Sequence, residues 1–228
     1  MRKIPSFLID SLRLSVKDLK VEFRRAYELL SIITFATSSV LVVSFNWRST
    51  AAPTPQVTSV ILWIITFFSG ILILTTSFAR EVDRGTIDGL RSIPVRTESI
   101  LLSKFIYSVA LMIFIILITL SSSIIFMNVN STYLLQLIFV FIFGYFNLML
   151  VGSMISALLI YSEGKTLLMS FLLLPASIPV LIPSTQITTK ILEGLTIFDA
   201  VSEIRLLAAY FILIALISTL LFPRVFSE

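Results

Sequence analysis

The run FIYSVALMIFIILITLSSSIIF, residues 105–126, is 22 residues long and contains no Asp, Glu, Lys or Arg. As a helix rising about 1.5 Å per residue it would extend about 33 Å, enough to cross the roughly 30 Å hydrocarbon core of a bilayer. Working outward, five more stretches have the same character: 29–47, 57–79, 133–160, 167–183 and 204–222, with 133–160 long and 167–183 short. Once Ile204 and Arg205 are trimmed from the last, none of the six holds a charged side chain. With 57% hydrophobic residues, 13% charged and a mean hydropathy of +1.03, the chain lies outside the soluble class, whose charged fraction is about a quarter. The expected fold is an all-α membrane protein with six transmembrane helices.

The basic residues orient it. Placing the N-terminus in the cytoplasm puts Arg2, Lys3, Arg13, Lys17, Lys20, Arg24, Arg25, Arg80, Arg84, Arg91, Arg96, Lys104, Lys165 and Arg224 inside. Only Arg48, Lys190 and Arg205 then lie outside, the asymmetry expected of cytoplasmic loops, so both termini are expected in the cytoplasm of a cell-membrane protein. The net charge of +4 follows from this topology and calls for no nucleic-acid partner. The small residues Ser49 to Ala52 resemble a signal-peptide cleavage site. The 28 residues before the first apolar run carry seven basic and four acidic side chains, however, far from a short n-region, so cleavage is not expected.

Residues 1–28 are expected to form an amphipathic interfacial helix, and 29–228 a single six-span domain. Leu8, Leu12, Val16, Leu19 and Phe23 recur at the spacing of one helical face, and Arg13, Lys17, Lys20 and Arg24 follow each of the last four by one residue. Two placements fit: the stripe buried among acyl chains with its cations among lipid phosphates, or the helix packed on the protein's own cytoplasmic side. Either way it is expected to run parallel to the membrane. Membrane lipids are the expected partners in the first case.

Several chemistries are excluded or weakened. The sequence has neither Cys nor His, which removes thiolate and imidazole metal ligands, Cys/His nucleophiles and disulfides, so no metal site and no catalytic residue are expected. Charge-free spans weaken an ion-driven carrier, which usually needs an ionisable group in the membrane to bind its coupling ion. Gly164-Lys165-Thr166 resembles the end of a phosphate-binding loop, but Leu159 stands where its first glycine belongs, so the triplet reads as a short inside turn. Asn130-Ser131-Thr132 fits a glycosylation acceptor, yet its loop is so short that a simple polar turn is the better reading. The chain is therefore not expected to be an enzyme, and if it moves anything uphill the energy is expected from another subunit at the cytoplasmic face.

The segment REVDRGTIDGLRSIPVRTESILLSK, residues 80–104, places the chain's most polar internal stretch between spans two and three, on the cytoplasmic side. Its charged patch, Thr86-Ile87-Asp88-Gly89-Leu90, Ile93-Pro94-Val95 and Lys104 resemble the first inner loop of ABC-2 type exporter permeases. Leu62-Trp63, and Leu173-Leu174-Pro175-Ala176-Ser177-Ile178-Pro179-Val180-Leu181-Ile182 in span five, are similar to the haem exporter B subunit of cytochrome c maturation, the CcmB family. The resemblance covers nearly the whole chain. It implies a permease half that dimerises on a separate ATP-hydrolysing subunit, among cytochrome c maturation proteins, with haem as a candidate substrate. It also implies that this loop forms a short coupling helix in a groove of the ATPase.

The loop's residues suit that role physically. Gly85 and Thr86 can end one helix and cap the next, Asp88 favours a helix N-terminus, and Pro94 closes the segment before Thr97 starts span three. Glu81, Asp83, Arg84, Asp88 and Arg91 offer both signs of charge to a soluble partner. A solvated loop that only enforces topology is the plainer alternative.

In span five, Pro175, Pro179 and Pro183 each remove a backbone donor, so the helix is expected to be broken there, facing the permease interior or bending back. A kinked helix with no transport role is the other reading. Beyond it, Ile187, Ile191, Leu195 and Phe198 share a face and are expected to form a short surface helix. In span four, Gly144, Gly152 and Ser156 allow a close helix approach and Asn147 can bond across it, with the neighbour's identity open. An exporter permease is the leading expectation. The alternatives are a generic ABC-2 exporter of lipid or drug-like amphiphiles, or an assembly factor that remodels a partner without moving solute.

Overall fold

The structure is a computed structural model that describes residues 6–24, 26–47, 54–77, 97–127, 129, 131–159, 162 and 164–227. Among these the chain forms α1 (Ser6–Arg24), α2 (Ala26–Trp47), α3 (Pro55–Ser77), α4 (Thr97–Met127), α5 (Leu134–Leu158), α6 (Lys165–Leu192) and α7 (Val201–Ser227). Six of these supply stretches long and apolar enough to cross a membrane: Tyr27–Asn46, Pro55–Thr75, Glu98–Met127, Leu134–Leu158, Leu167–Leu192 and Ile197–Leu221. The expectation of an all-α, six-span protein is met.

Helices α3, α4 and α5 pack on one another at the centre of the bundle, with α2 against α4 and α3, α6 against α5 and α3, and α7 against α5 and α6. Lipid tails are as apolar as leucine, so close packing rather than water exclusion must hold such helices together. Trp63 of α3 supplies much of that contact. Its ring stacks on Phe141 of α5 at 4.6 Å and lies 5.7 Å from Tyr145. Gly144 exists for this contact, because a Cβ there would run into the Trp63 ring and come within 2.8 Å of the Ser184 hydroxyl of α6. Just over two turns later, a Cβ on Gly152 would collide with Leu74.

Several hydroxyls inside the helices are satisfied locally, although those of Ser99, Ser108 and Ser218 are buried without a hydrogen-bond partner among the described residues. Ser69 donates to the Ile65 carbonyl at 2.9 Å, Thr119 to Ile115 at 2.9 Å and Ser123 to Leu120 at 2.8 Å. Bonding back to the preceding turn lets a polar residue sit in an apolar helix without an orphaned group.

Two sequence expectations are corrected here. Span five does not stop at Pro183, and Ile187 and Ile191 do not start a separate surface helix. Helix α6 continues through Pro175, Pro179 and Pro183 to Leu192, with Ile187 and Ile191 fully buried and only Leu195 and Phe198 exposed. The polar run Ser184 to Lys190 looked like a span's end, but Thr188 and Thr189 bond back to the Ser184 and Thr185 carbonyls at 2.8 and 2.9 Å. The helix ends at Gly194, whose φ of +90° allows the Leu195 N–H to reach the Lys190 carbonyl at 2.9 Å. Gly164, at φ +68°, opens α6 as the expected turn.

Candidate coupling site

The face of α1 that meets the bundle is polar. Ser11, Ser15, Asp18 and Glu22, spaced by four, three and four, are all buried, while Leu8, Leu12, Val16 and Phe23 of the apolar stripe are 40 to 61% exposed. Only Leu19 of that stripe packs on the core. The helix packs on the protein's own bundle, as the second of the two placements has it, but through this polar face and not through its apolar stripe.

The polar face meets the head of α4. Lys104 Nζ lies 2.8 Å from Asp18 Oδ2, with the two side chains 4% and 11% exposed. One turn along, the Tyr107 hydroxyl donates to Glu22 Oε2 at 2.7 Å in a buried contact. Ser11 and Ser15 turn their hydroxyls back to the Phe7 and Leu12 carbonyls. Two charges withdrawn from water attract strongly, and losing either one strands the other, so this pair acts as a latch between α1 and α4. Helix α4 is 31 residues, about 46 Å, long, so about ten residues exceed a bilayer's hydrocarbon core. The latch grips the first three turns.

A second set of polar contacts ties α3 to α6. Gln56 Nε2 donates to Glu193 Oε1 at 3.0 Å, Ser59 and Thr189 share a hydrogen bond of 2.5 Å, and Trp63 Nε1 donates to Thr188 Oγ1 at 2.9 Å. Next to this ladder Lys190 bonds Glu203 Oε1 at 2.8 Å and the Asp199 carbonyl at 2.9 Å, closing the turn between α6 and α7. The segment between α3 and α4 therefore enters from a helix bonded to α6 and leaves into a helix latched to α1.

Glu81, Asp83, Arg84, Gly85, Thr86, Asp88 and Arg91, the expected coupling residues, lie outside the described residues. Of the α5 residues singled out for packing, Gly144, Gly152 and Ser156 meet α3 of the same chain. Ser156 reaches the Leu74 carbonyl at 3.4 Å beside Gly152, and Gly144 sits under Trp63. Asn147 is a correction. Its amide donates to the Phe143 carbonyl of its own helix at 3.1 Å, and its Oδ1 accepts no hydrogen bond among the described residues. Of the three prolines, Pro183 is buried, whereas Pro175 and Pro179 face out of the bundle. The helix is continuous through all three and not broken as expected, and Tyr210 of α7 donates to the Ala176 carbonyl at 2.6 Å beside Pro175.

The latch is not among the sequence expectations, because its partners stand 86 and 85 residues apart in the chain. Its signal was present all the same: Ser11, Ser15, Asp18 and Glu22 obey the same helical period, and Lys104 heads an otherwise apolar run.

Six apolar spans and a leading helix latched to the third define a multi-pass membrane protein. The chain belongs to the CcmB family, since the family model described as CcmB protein matches residues 10–226. That family is the permease component of haem export in cytochrome c biogenesis. Among curated proteins, none matches this chain.

Proposed function

We propose that this chain is the permease half of an ABC-type haem exporter, working as a homodimer in the cell membrane with both termini in the cytoplasm. A separate ATPase supplies the energy and docks on the loop from Glu81 to Arg91. The observation that carries this reading is the Asp18–Lys104 and Glu22–Tyr107 latch, placed where that loop enters α4. A push on the loop meets two units, α3 with α6 and α1 with α4, each held internally by polar contacts. Relative movement of the two is the stroke.

Packing favours a path between copies over one through a single chain. At the centre of the bundle Trp63, Phe141 and Tyr145 are at most 1% exposed, and Gly144 and Gly152 leave no slack. The outward face of α6 and α7 suits a second copy. Pro175 and Pro179 lack N–H groups, which leaves the Phe171 and Pro175 carbonyls without their helical donors, and hydrocarbon cannot replace them. Beside them runs a groove of about 420 Å³ lined by Ile178, Ile182, Gln186, Tyr210 and Leu213, among others.

The same filled centre favours a second reading, in which the ATPase-driven stroke remodels a cytochrome c maturation partner and no solute crosses. With no histidine in the sequence, haem has no imidazole ligand here. An exporter of lipid or drug-like amphiphiles is the third reading, and ATP turnover stimulated by such compounds but not by haem supports it. The Lys104→Ala variant tests the coupling. Bound ATPase with permease-stimulated turnover reduced about tenfold, the upper range for a residue carrying coupling between sites, is expected. Full stimulation with the latch removed contradicts the proposal.

A further inference from the structure

The outward face of α1 segregates charge in a way that export does not require. Both acidic residues from Asp18 onward in this helix, Asp18 and Glu22, turn inward to Lys104 and Tyr107. The basic residues Arg13, Lys17, Lys20 and Arg24 all lie on exposed positions, Lys17 with half its side chain exposed although 3.3 Å from Asp18. Between them stand exposed Leu12 and Val16, and together these cations and apolar side chains line a concave surface with Ile9 and Val21.

We infer that this surface binds the anionic phospholipids of the leaflet on which α1 lies, with the four cations on the headgroup phosphates and the apolar side chains against the upper acyl chains. Charge complementarity is one argument. The face presents four cations in three turns, and each basic residue near an anionic bilayer adds attraction that falls within a Debye length. Continuity is the other. The exposed row Leu12, Val16 and Phe23 continues into Tyr27 and Leu30 of α2, both about 60% exposed, on a helix that itself spans the membrane. A soluble protein seated here would have to cover a surface that merges with the lipid-facing side of a span. The inference stands apart from the export reading, since it needs neither an ATPase nor a second copy.

Native mass spectrometry of the purified full chain in detergent, supplied with equal amounts of phosphatidylglycerol and phosphatidylcholine, tests it. The wild type is expected to retain phosphatidylglycerol about tenfold over phosphatidylcholine, with the preference falling as salt rises. Arg13→Gln, Lys17→Gln, Lys20→Gln and Arg24→Gln combined should abolish the preference, while Arg13→Lys with Arg24→Lys and the distant Lys190→Gln should keep it. Inorganic phosphate at the same concentration should not displace the lipid. An unchanged lipid ratio in the fourfold glutamine variant overturns the inference. So does displacement by phosphate alone, or a wild-type ratio near one at every salt concentration, the last of which depends on no variant folding. Loss of ATPase binding in the fourfold variant with lipid retention intact makes the face a protein dock and overturns it equally.

Discussion

Asp18 and Lys104 illustrate how a membrane protein tolerates charge at the edge of its apolar core. Each is nearly fully withdrawn from solvent and has the other at 2.8 Å, so the pair is stable only as a pair. Asp18→Ala or Lys104→Ala alone should cost about 3–5 kcal/mol, because the surviving charge is stranded. Replacing both with apolar residues of similar size, Asp18→Leu with Lys104→Met, should restore most of that loss while leaving coupling impaired. Chemical denaturation of the purified chain measures the first effect and permease-stimulated ATP turnover the second. Equal destabilisation by the double and single variants would mean the pair is solvated and no latch. At Gly144 the constraint is steric rather than electrostatic. Gly144→Ala forces Trp63 off the Phe141 ring and should destabilise by about 1–3 kcal/mol, seen as a lower melting temperature. An unchanged melting temperature would mean that Trp63 has room to move.

Among elements, α6 is where sequence and structure diverge most. The six spans were legible because runs near 20 residues without charge have few other physical uses. The extent of the fifth was not, since Ser184, Thr188, Thr189 and Lys190 lower its hydropathy as a loop would. The partners of Thr188, Thr189 and Lys190, namely Trp63, Ser59 and Glu203, stand 125, 130 and 13 residues away in the chain, and no local pattern announces them. The inward polar face of α1 was hidden in the same way. Tyr210→Phe removes the hydroxyl that meets the Ala176 carbonyl and should cost about 1 kcal/mol. Pro179→Ala returns an N–H to the Pro175 carbonyl, stiffening α6, and should preserve or raise the melting temperature while reducing stimulated ATP turnover. Unimpaired turnover in that variant would assign the proline to packing alone.

At the scale of the whole molecule, two internally bonded units are joined in sequence by residues 78–96, which lie outside the described residues. Its sidedness is testable in a chain without natural thiols. Ser92→Cys should react with an impermeant reagent only from the cytoplasm and Ser131→Cys only from outside, following the distribution of basic residues. Labelling of Ser92→Cys in intact cells would move the loop out of reach of a cytoplasmic ATPase. The most direct measurement of the proposed coupling is co-purification of the chain with a candidate ABC-type ATPase, comparing wild type with the variant Asp88→Lys, Arg91→Glu. Reversing both charges in a partly desolvated interface costs a few kcal/mol, against about 1 kcal/mol or less at an exposed rim. The account predicts that the variant inserts its six spans normally, retains the Asp18–Lys104 latch, and loses both the ATPase and its stimulated turnover. An intact complex with unchanged stimulated turnover would contradict it and reduce the loop to a topological anchor.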